Sequence, residues 1–141
     1  MIILSVDRGD VRTGLAVCDK FEMLASPVTV IQETDADSLA AKISVFAKEQ
    51  KAEAIVVGLP KNMDGTEGES ACKCRYLAQK LSECTGLPVE LRDERLTTVS
   101  AHNALNITNV RGKKRKAVVD AVAAVMILQE YLDYRKLKGL S

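Results

Sequence analysis

The chain has 141 residues, close to the commonest size of one domain and enough to bury about two thirds of its unfolded surface. Its 47% hydrophobic but only 4% aromatic residues require an aliphatic, alanine-rich core, and a formal charge of +1 gives no overall pull toward nucleic acid or membrane, so any electrostatic footprint must be local. No apolar run approaches membrane-spanning length, and the N-terminus lacks the basic region, long apolar stretch and small-residue cleavage site of a signal peptide, so a cytoplasmic protein without a membrane partner is expected.

Taken in chain order, the periodicities alternate. Ile2 to Val6, Thr13 to Cys18 and Met23 to Ile31 read as three strands joined by short turns, an opening antiparallel meander. Asp35 precedes a helix with Leu39, Ile43 and Phe46 on one face. Ala54 to Val57 is a short strand ending at Gly58. After the loop Leu59 to Gly65, Thr66 and Glu69 have the spacing of a capping box for a helix carrying Ala71, Cys74, Leu77, Ala78 and Leu81 inward. Gly86 and Pro88 stop that helix, and Val89 to Leu91 is a fifth strand. Asp93-Glu94-Arg95 follows it, Thr97 is placed to cap a helix through Leu105, and a final helix is expected from about Arg115 to Tyr134. The order predicts an α/β fold, a mixed five-stranded sheet with helices on its faces, in a single domain over residues 1–141.

The chemistry gathers at strand exits. Asp7 ends the apolar run from Met1 to Val6, where a charged residue is avoided unless it is paired or binds a metal. In open sheets, ligands collect at the carboxyl ends of the parallel strands. If the first, fourth and fifth strands are parallel neighbours, Asp7, Gly58 and the Asp93-Glu94 pair share one edge of the sheet. The last helix adds Asp120. Thirteen of the sixteen residues from Ala117 to Leu132 are apolar, so that helix is expected to be buried on most of its circumference. Asp120 has Ala117, Ala121, Ala123 and Ala124 around it, which lets the helix approach the sheet and leaves space beside the carboxylate. Alone, it also fits a solvated aspartate favoured by the helix dipole. Together with Asp7 and Glu94 it makes a carboxylate trio suited to hard cations such as magnesium or manganese.

Cysteine and histidine do not compete for this role. Cys72 and Cys74 are two apart on a helix and point to different faces, Cys18 and Cys84 are distant, and no pair has zinc-finger spacing. Reduced thiols without a role are expected. His102 stands alone in a predicted helix, without the neighbours of a catalytic triad.

These residues resemble a known family. The segments Val6-Asp7-Arg8-Gly9 through Arg12-Thr13-Gly14-Leu15-Ala16, Val57-Gly58-Leu59-Pro60-Lys61-Asn62-Met63-Asp64-Gly65-Thr66, Asp93-Glu94-Arg95-Leu96-Thr97-Thr98 and Lys114-Arg115-Lys116 with Asp120-Ala121 and Ala123-Ala124 occur in the order found in YqgF-type (RuvX-type) members of the RNase H-like superfamily, relatives of the RuvC Holliday junction resolvases. The resemblance spans the chain from end to end. It implies an RNase H-like fold and a metal-dependent phosphodiesterase that trims the precursor of small-subunit ribosomal RNA or resolves Holliday junctions, with Asp7, Glu94 and Asp120 as the acids. Asp7, on the most central strand, is the expected bridging ligand of two divalent ions. The chain departs from the family pattern at Val11, where a basic residue is usual, and at Arg8, where an aromatic or small residue is common. Of the fourth acid of the RuvC type it has no clear counterpart beyond the more distant Asp133.

The partner is expected to be nucleic acid, either precursor rRNA or branched DNA, met by a monomer or a homodimer. Gly9 and Arg12 are candidate phosphate contacts, although Gly9 also fits a plain turn and Arg12 a surface ion pair. Lys61, Asn62 and Thr66 stand near a helix N-terminus, which favours anions; a well-formed turn explains them equally well. The basic segment at Arg111, Lys113, Lys114, Arg115 and Lys116 is a candidate grip on the phosphate backbone, with a solvated charge run as the alternative, and Gly112 within it suggests mobility. Two rival classes share the early motif or the fold. Actin-like and sugar-kinase ATPases also begin with an aspartate and glycine on strand one but need two such domains, and a non-catalytic nucleic-acid-binding module would have no need to keep three acids.

Overall fold

In the computed structural model, residues 1–60, 67–93 and 112–139 are described, with side chains from 122 onward in the last stretch. The elements are β1 (Ile3–Arg8), β2 (Arg12–Cys18), β3 (Ala25–Gln32), α1 (Ala36–Glu49), β4 (Ala54–Leu59), α2 (Glu69–Thr85), β5 (Val89–Asp93) and α3 (Gly112–Leu137). The strands form one sheet in the order β3-β2-β1-β4-β5. β2 runs antiparallel to β1 and β3, whereas β4 pairs parallel to β1 and β5 parallel to β4. This is the mixed five-stranded sheet expected from the sequence, and it brings the carboxyl ends of β1, β4 and β5 to one edge.

Two apolar layers explain why β1 reads as an unbroken hydrophobic run. Leu4 and Val6 pack with Leu15, Ile55 and Val57 against α1 and α2 on one face. On the other, Ile3 packs with Ala16 and Val56 against Ala124, Ile127, Leu128 and Leu132 of α3. A strand buried on both sides has no polar face to alternate with. The inward faces of α1 and α2 follow the helical period. Leu39, Ala40, Ile43 and Ala47 are buried on α1, and Ala71, Cys74, Leu77, Ala78 and Leu81 on α2. Leu77 and Leu81 are fully buried, and each contributes on the order of 2 kcal/mol through removal from water. Asp35 caps α1 by accepting the Ser38 N–H at 2.9 Å. Gly86 ends α2 at φ 71°, a left-handed conformation that glycine adopts without a Cβ penalty.

Two expectations are corrected. The N-cap of α2 is Gly68, so Glu69 is the first helical residue and cannot reach back as the fourth member of a capping box; it pairs with Lys73 one turn on, at 3.4 Å. Thr66 lies outside the described residues. α3 begins at Gly112 rather than near Arg115, so Gly112 and the basic residues after it belong to a helix and not to a loop. As expected, most of the circumference of α3 is withdrawn from water among its described side chains: Ala123, Ala124, Ile127, Leu128, Tyr131 and Leu132 are buried, and Val122, Val125 and Met126 half-buried. The predicted helix from Thr97 to Leu105, with His102, lies outside the described residues.

Candidate active site

Asp7 is half-buried near the end of β1. Side chains alternate along a strand; Ile3 and Ser5 contact α3, so Asp7 belongs to the same face. Its registered partner on β2 is Gly14. On β4, continuing the pairing Val6 with Val57 by one residue brings Gly58 alongside. The carboxylate therefore stands between two glycines. With strands spaced about 4.8 Å apart, the sheet surface is bare of side chains on both sides of it. Beyond Gly58, Arg92 and then Asp93 complete β5, Asp93 in register with Leu59. Glu94 follows directly in the chain and lies outside the described residues.

Two contacts orient α3 over this edge. The Ser5 hydroxyl, fully buried, donates to the Ala124 carbonyl at 2.7 Å, tying β1 to the helix across 119 residues of sequence. Such a short bond requires the close approach that the alanines of α3 permit. At the opposite end, Arg135 pairs with Glu22, which also binds the Met1 ammonium at 3.1 Å. The helix thus runs antiparallel to β1. Moving from Ser5 to Asp7 advances about 6.8 Å along the strand, and moving from Ala124 back to position 120 advances about 6 Å along the helix. Position 120 of the helix backbone lies at the level of Asp7; the Asp120 side chain is outside the described residues.

The β1–β2 turn lies beside Asp7. The Gly9 N–H donates to the Arg12 carbonyl at 2.9 Å, and a Cβ on Gly9 would sit 2.3 Å from that oxygen. The turn alone therefore demands a glycine here, whether or not a phosphate approaches. Arg12 follows the alternation of Gly14 and Ala16 onto the α3 face, while Arg8 and its registered partner Thr13 occupy the face of α1 and α2. Lys113, Lys114, Arg115 and Lys116 lie in the first two turns of α3, and their side chains are outside the described residues, as are Arg111, Lys61 and Asn62 in full. Cys72 and Cys84 are exposed, Cys18 and Cys74 buried, and none of the four forms a disulfide. Burial pushes the Cys18 thiol up. Among the described residues, no three His, Cys, Asp or Glu side chains are gathered for a metal ion, and no helix is long and apolar enough to cross a membrane.

Sequence reasoning passed over Ser5 and Thr13 as parts of the site. The first is a serine amid a hydrophobic strand, an oddity visible in the sequence. The second emerges only from strand register, which also sets Gly58, expected at the same edge, directly beside Asp7.

The topology and the carboxylate at its parallel edge define a resolvase-type RNase H-like fold. Over 96% of both chains, the structure is similar to T. thermophilus RuvC in complex with a Holliday junction substrate, with a TM-score of 0.64 at 15% identity. The Fowlpox virus resolvase bound to Holliday junction DNA gives a TM-score of 0.61 at 12% identity, with 95% of this chain and 98% of that one covered. The chain belongs to the RuvX family, whose model, described as "RuvX: Holliday junction resolvase", matches residues 1–134. A relative from Anaeromyxobacter dehalogenans, named "Putative pre-16S rRNA nuclease", is 46% identical over 136 residues, with 96% of this chain and 98% of that protein covered.

Proposed function

We propose that this chain is a metal-dependent nuclease that hydrolyses phosphodiester bonds, acting in 5′-end maturation of pre-16S rRNA, as a single domain over residues 1–141 working as a monomer or homodimer. The names carried by its relatives support the class of reaction and the RNA substrate. The observation that carries the reading is Asp7, a half-buried carboxylate set between two glycines at the carboxyl edge of the sheet.

In this reading Asp7, Glu94 and Asp120 hold magnesium or manganese. The donor set fits, because it is all carboxylate, and the described thiols lie elsewhere, Cys18 at the far end of β2 and the other three on α2. Divalent ions supply activation of water and neutralisation of charge on the phosphate. The chain's own residues do the rest. β1, held on both faces, fixes the Asp7 carboxylate, and Gly14 and Gly58 leave room for a sugar-phosphate chain to lie against the sheet. Arg12 contacts a phosphate on the Asp7 side of the turn, and Gly9 lets the turn close beside it. Lys113, Lys114, Arg115 and Lys116 grip the backbone, and Lys61, Asn62 and Thr66 bind phosphate as well.

The test is cleavage of precursor 16S rRNA and a four-way DNA junction, side by side, with and without manganese, alongside an ATP-binding measurement. Manganese-dependent cutting of the RNA at the higher kcat/KM is the expected result. Preference for the junction transfers the assignment to Holliday junction resolution. Binding without any cleavage makes the chain a non-catalytic module, and tight ATP binding revives the ATPase rival.

A further inference from the structure

Three buried side-chain atoms among the described residues have no hydrogen-bond partner: Arg8 Nε, Arg12 Nη1 and Thr13 Oγ1. All belong to one turn. Buried polar atoms are nearly always satisfied in native proteins, and each exception is costly to the fold. Their confinement to the β1–β2 hairpin end therefore marks a place where a partner belongs. Thr13 is fully buried. Arg8 is its registered cross-strand partner, so the two side chains share a face with Cβ atoms about 5 Å apart. The guanidinium nitrogens can only donate, and a hydroxyl can donate as well. Arg8 and Thr13 together call for one acceptor with several lone pairs, and the Nε–Nη fork of arginine matches a phosphate in bidentate geometry.

We propose that Arg8, Thr13 and Arg12 form a phosphate clasp that holds the nucleic-acid backbone next to, but outside, the cleavage centre. This rests on the nuclease reading for the identity of the ligand. Arg12 lies on the Asp7 side of the hairpin and Arg8 with Thr13 on the other, so a strand leaving Asp7 passes over the hairpin end from one to the other. The close-packed Gly9–Arg12 closure gives the clasp a rigid base.

The experiment measures binding of a labelled single-stranded RNA to the full chain in EDTA, across a salt series, together with thermal melting. Arg8→Gln is expected to weaken binding about tenfold and to flatten the slope of log K against log salt by about 0.7, the loss of one phosphate contact on a single strand. Thr13→Val keeps the shape and removes a hydroxyl that lacks a partner in the free protein. It should melt no lower than the parent, yet bind RNA about fivefold more weakly with an unchanged salt slope. A merely structural threonine gives the first result without the second. If both variants bind RNA with parental affinity and slope, the clasp is wrong, and that holds even if inorganic phosphate raises the melting temperature of the parent and not of Arg8→Gln, which would make this a free-anion site. Cleavage plays no part in the readout. A chain that shows these shifts and never cuts RNA refutes the nuclease reading and keeps the clasp.

Discussion

The two ends of β1 treat buried polar groups in opposite ways. At the amino end of β1, Glu22 is 5% exposed with φ at 56°, a conformation costly for a residue with a Cβ, yet it is fully engaged by Arg135 and the Met1 ammonium. Tyr131, one helical turn before Arg135 on α3, is likewise engaged, its hydroxyl donating to Glu90 in a very short hydrogen bond. At the carboxyl end, Asp7 stands between glycines and the adjoining turn holds three unsatisfied buried atoms. A fold can tolerate the second arrangement when the first anchors it. The buried atoms of the turn that lack partners are the ones available to a ligand, so the contrast separates the end anchored by ion pairs from the end that works.

The largest effect tests the working end. Asp7→Asn is expected to cut metal-dependent cleavage by more than about 100-fold, beyond the loss typical of an outer-shell partner of a metal ligand, while circular dichroism and melting stay near the parent, since the amide is nearly the same size and removes repulsion among acids. Wild-type rates in this variant would dissolve the contrast. Asp120→Asn comes next. It should melt at or above the parent in EDTA, lose most of the stabilisation that manganese gives the parent, and cut slowly. A mere helix-dipole partner would lose about 1 kcal/mol or less and keep its activity.

The anchoring end predicts the reverse pattern. Glu22→Gln removes the carboxylate that pairs with the mostly buried Arg135 guanidinium and is expected to cost about 3 kcal/mol of stability, with RNA affinity unchanged. The same pair sets a pH dependence. Burial pushes the Glu22 carboxyl up, but the hydrogen bonds and charges of Arg135 and the Met1 ammonium outweigh it, so the group is held below its ordinary value of 4.5. A depressed carboxyl contributes stability that is full above its unfolded pKa and is lost as the pH falls through its folded one. Melting of the parent followed downward from pH 6 should therefore lose a component below about pH 4.5 that Glu22→Gln lacks. Parallel curves for the two proteins would show that the pair contributes nothing.

Much of this was legible in the sequence, and the limits have a physical pattern. The exit of β1 at Asp7 and the five inward residues of α2 follow from periodicity, a local signal. Strand register is not local: Asp7 faces Gly14 and Gly58 because of pairings set by the whole sheet, so the bare surface around the carboxylate could not be read from the chain. The capping box at Thr66 and Glu69 had the right spacing but the wrong phase, since spacing does not say where the first turn closes. Nothing local marks Glu22, which stands in a turn next to Phe21 and Met23, both well exposed, because its partner is 113 residues away. Glu94, Lys61, Asn62 and Thr66 lie outside the described residues, so for them the sequence argument stands alone.

The smallest effect joins the two ends. Ser5 is the one buried polar link from β1 to α3 among the described hydrogen bonds, and Ser5→Ala removes its bond to Ala124 without stranding a partner, because the Ala124 carbonyl lies mid-helix, where the backbone ladder supplies its own donor. The loss in stability should be about 1 kcal/mol. Its consequence for activity should be out of proportion, because the bond sits one helical turn from position 120 and two residues from Asp7, and it sets how far the helix stands from the strand. Ser5→Ala is expected to lower kcat severalfold and to raise the manganese concentration needed for half-maximal rate, while RNA binding in EDTA, which depends on the hairpin end and the basic turns of α3, stays at the parental value. Ser5→Cys, which keeps a weaker donor at the same place, should fall between the two. If Ser5→Ala loses the stability and keeps the parental manganese dependence, the spacing of β1 and α3 does not control the metal site, and Asp7 and position 120 need not act together.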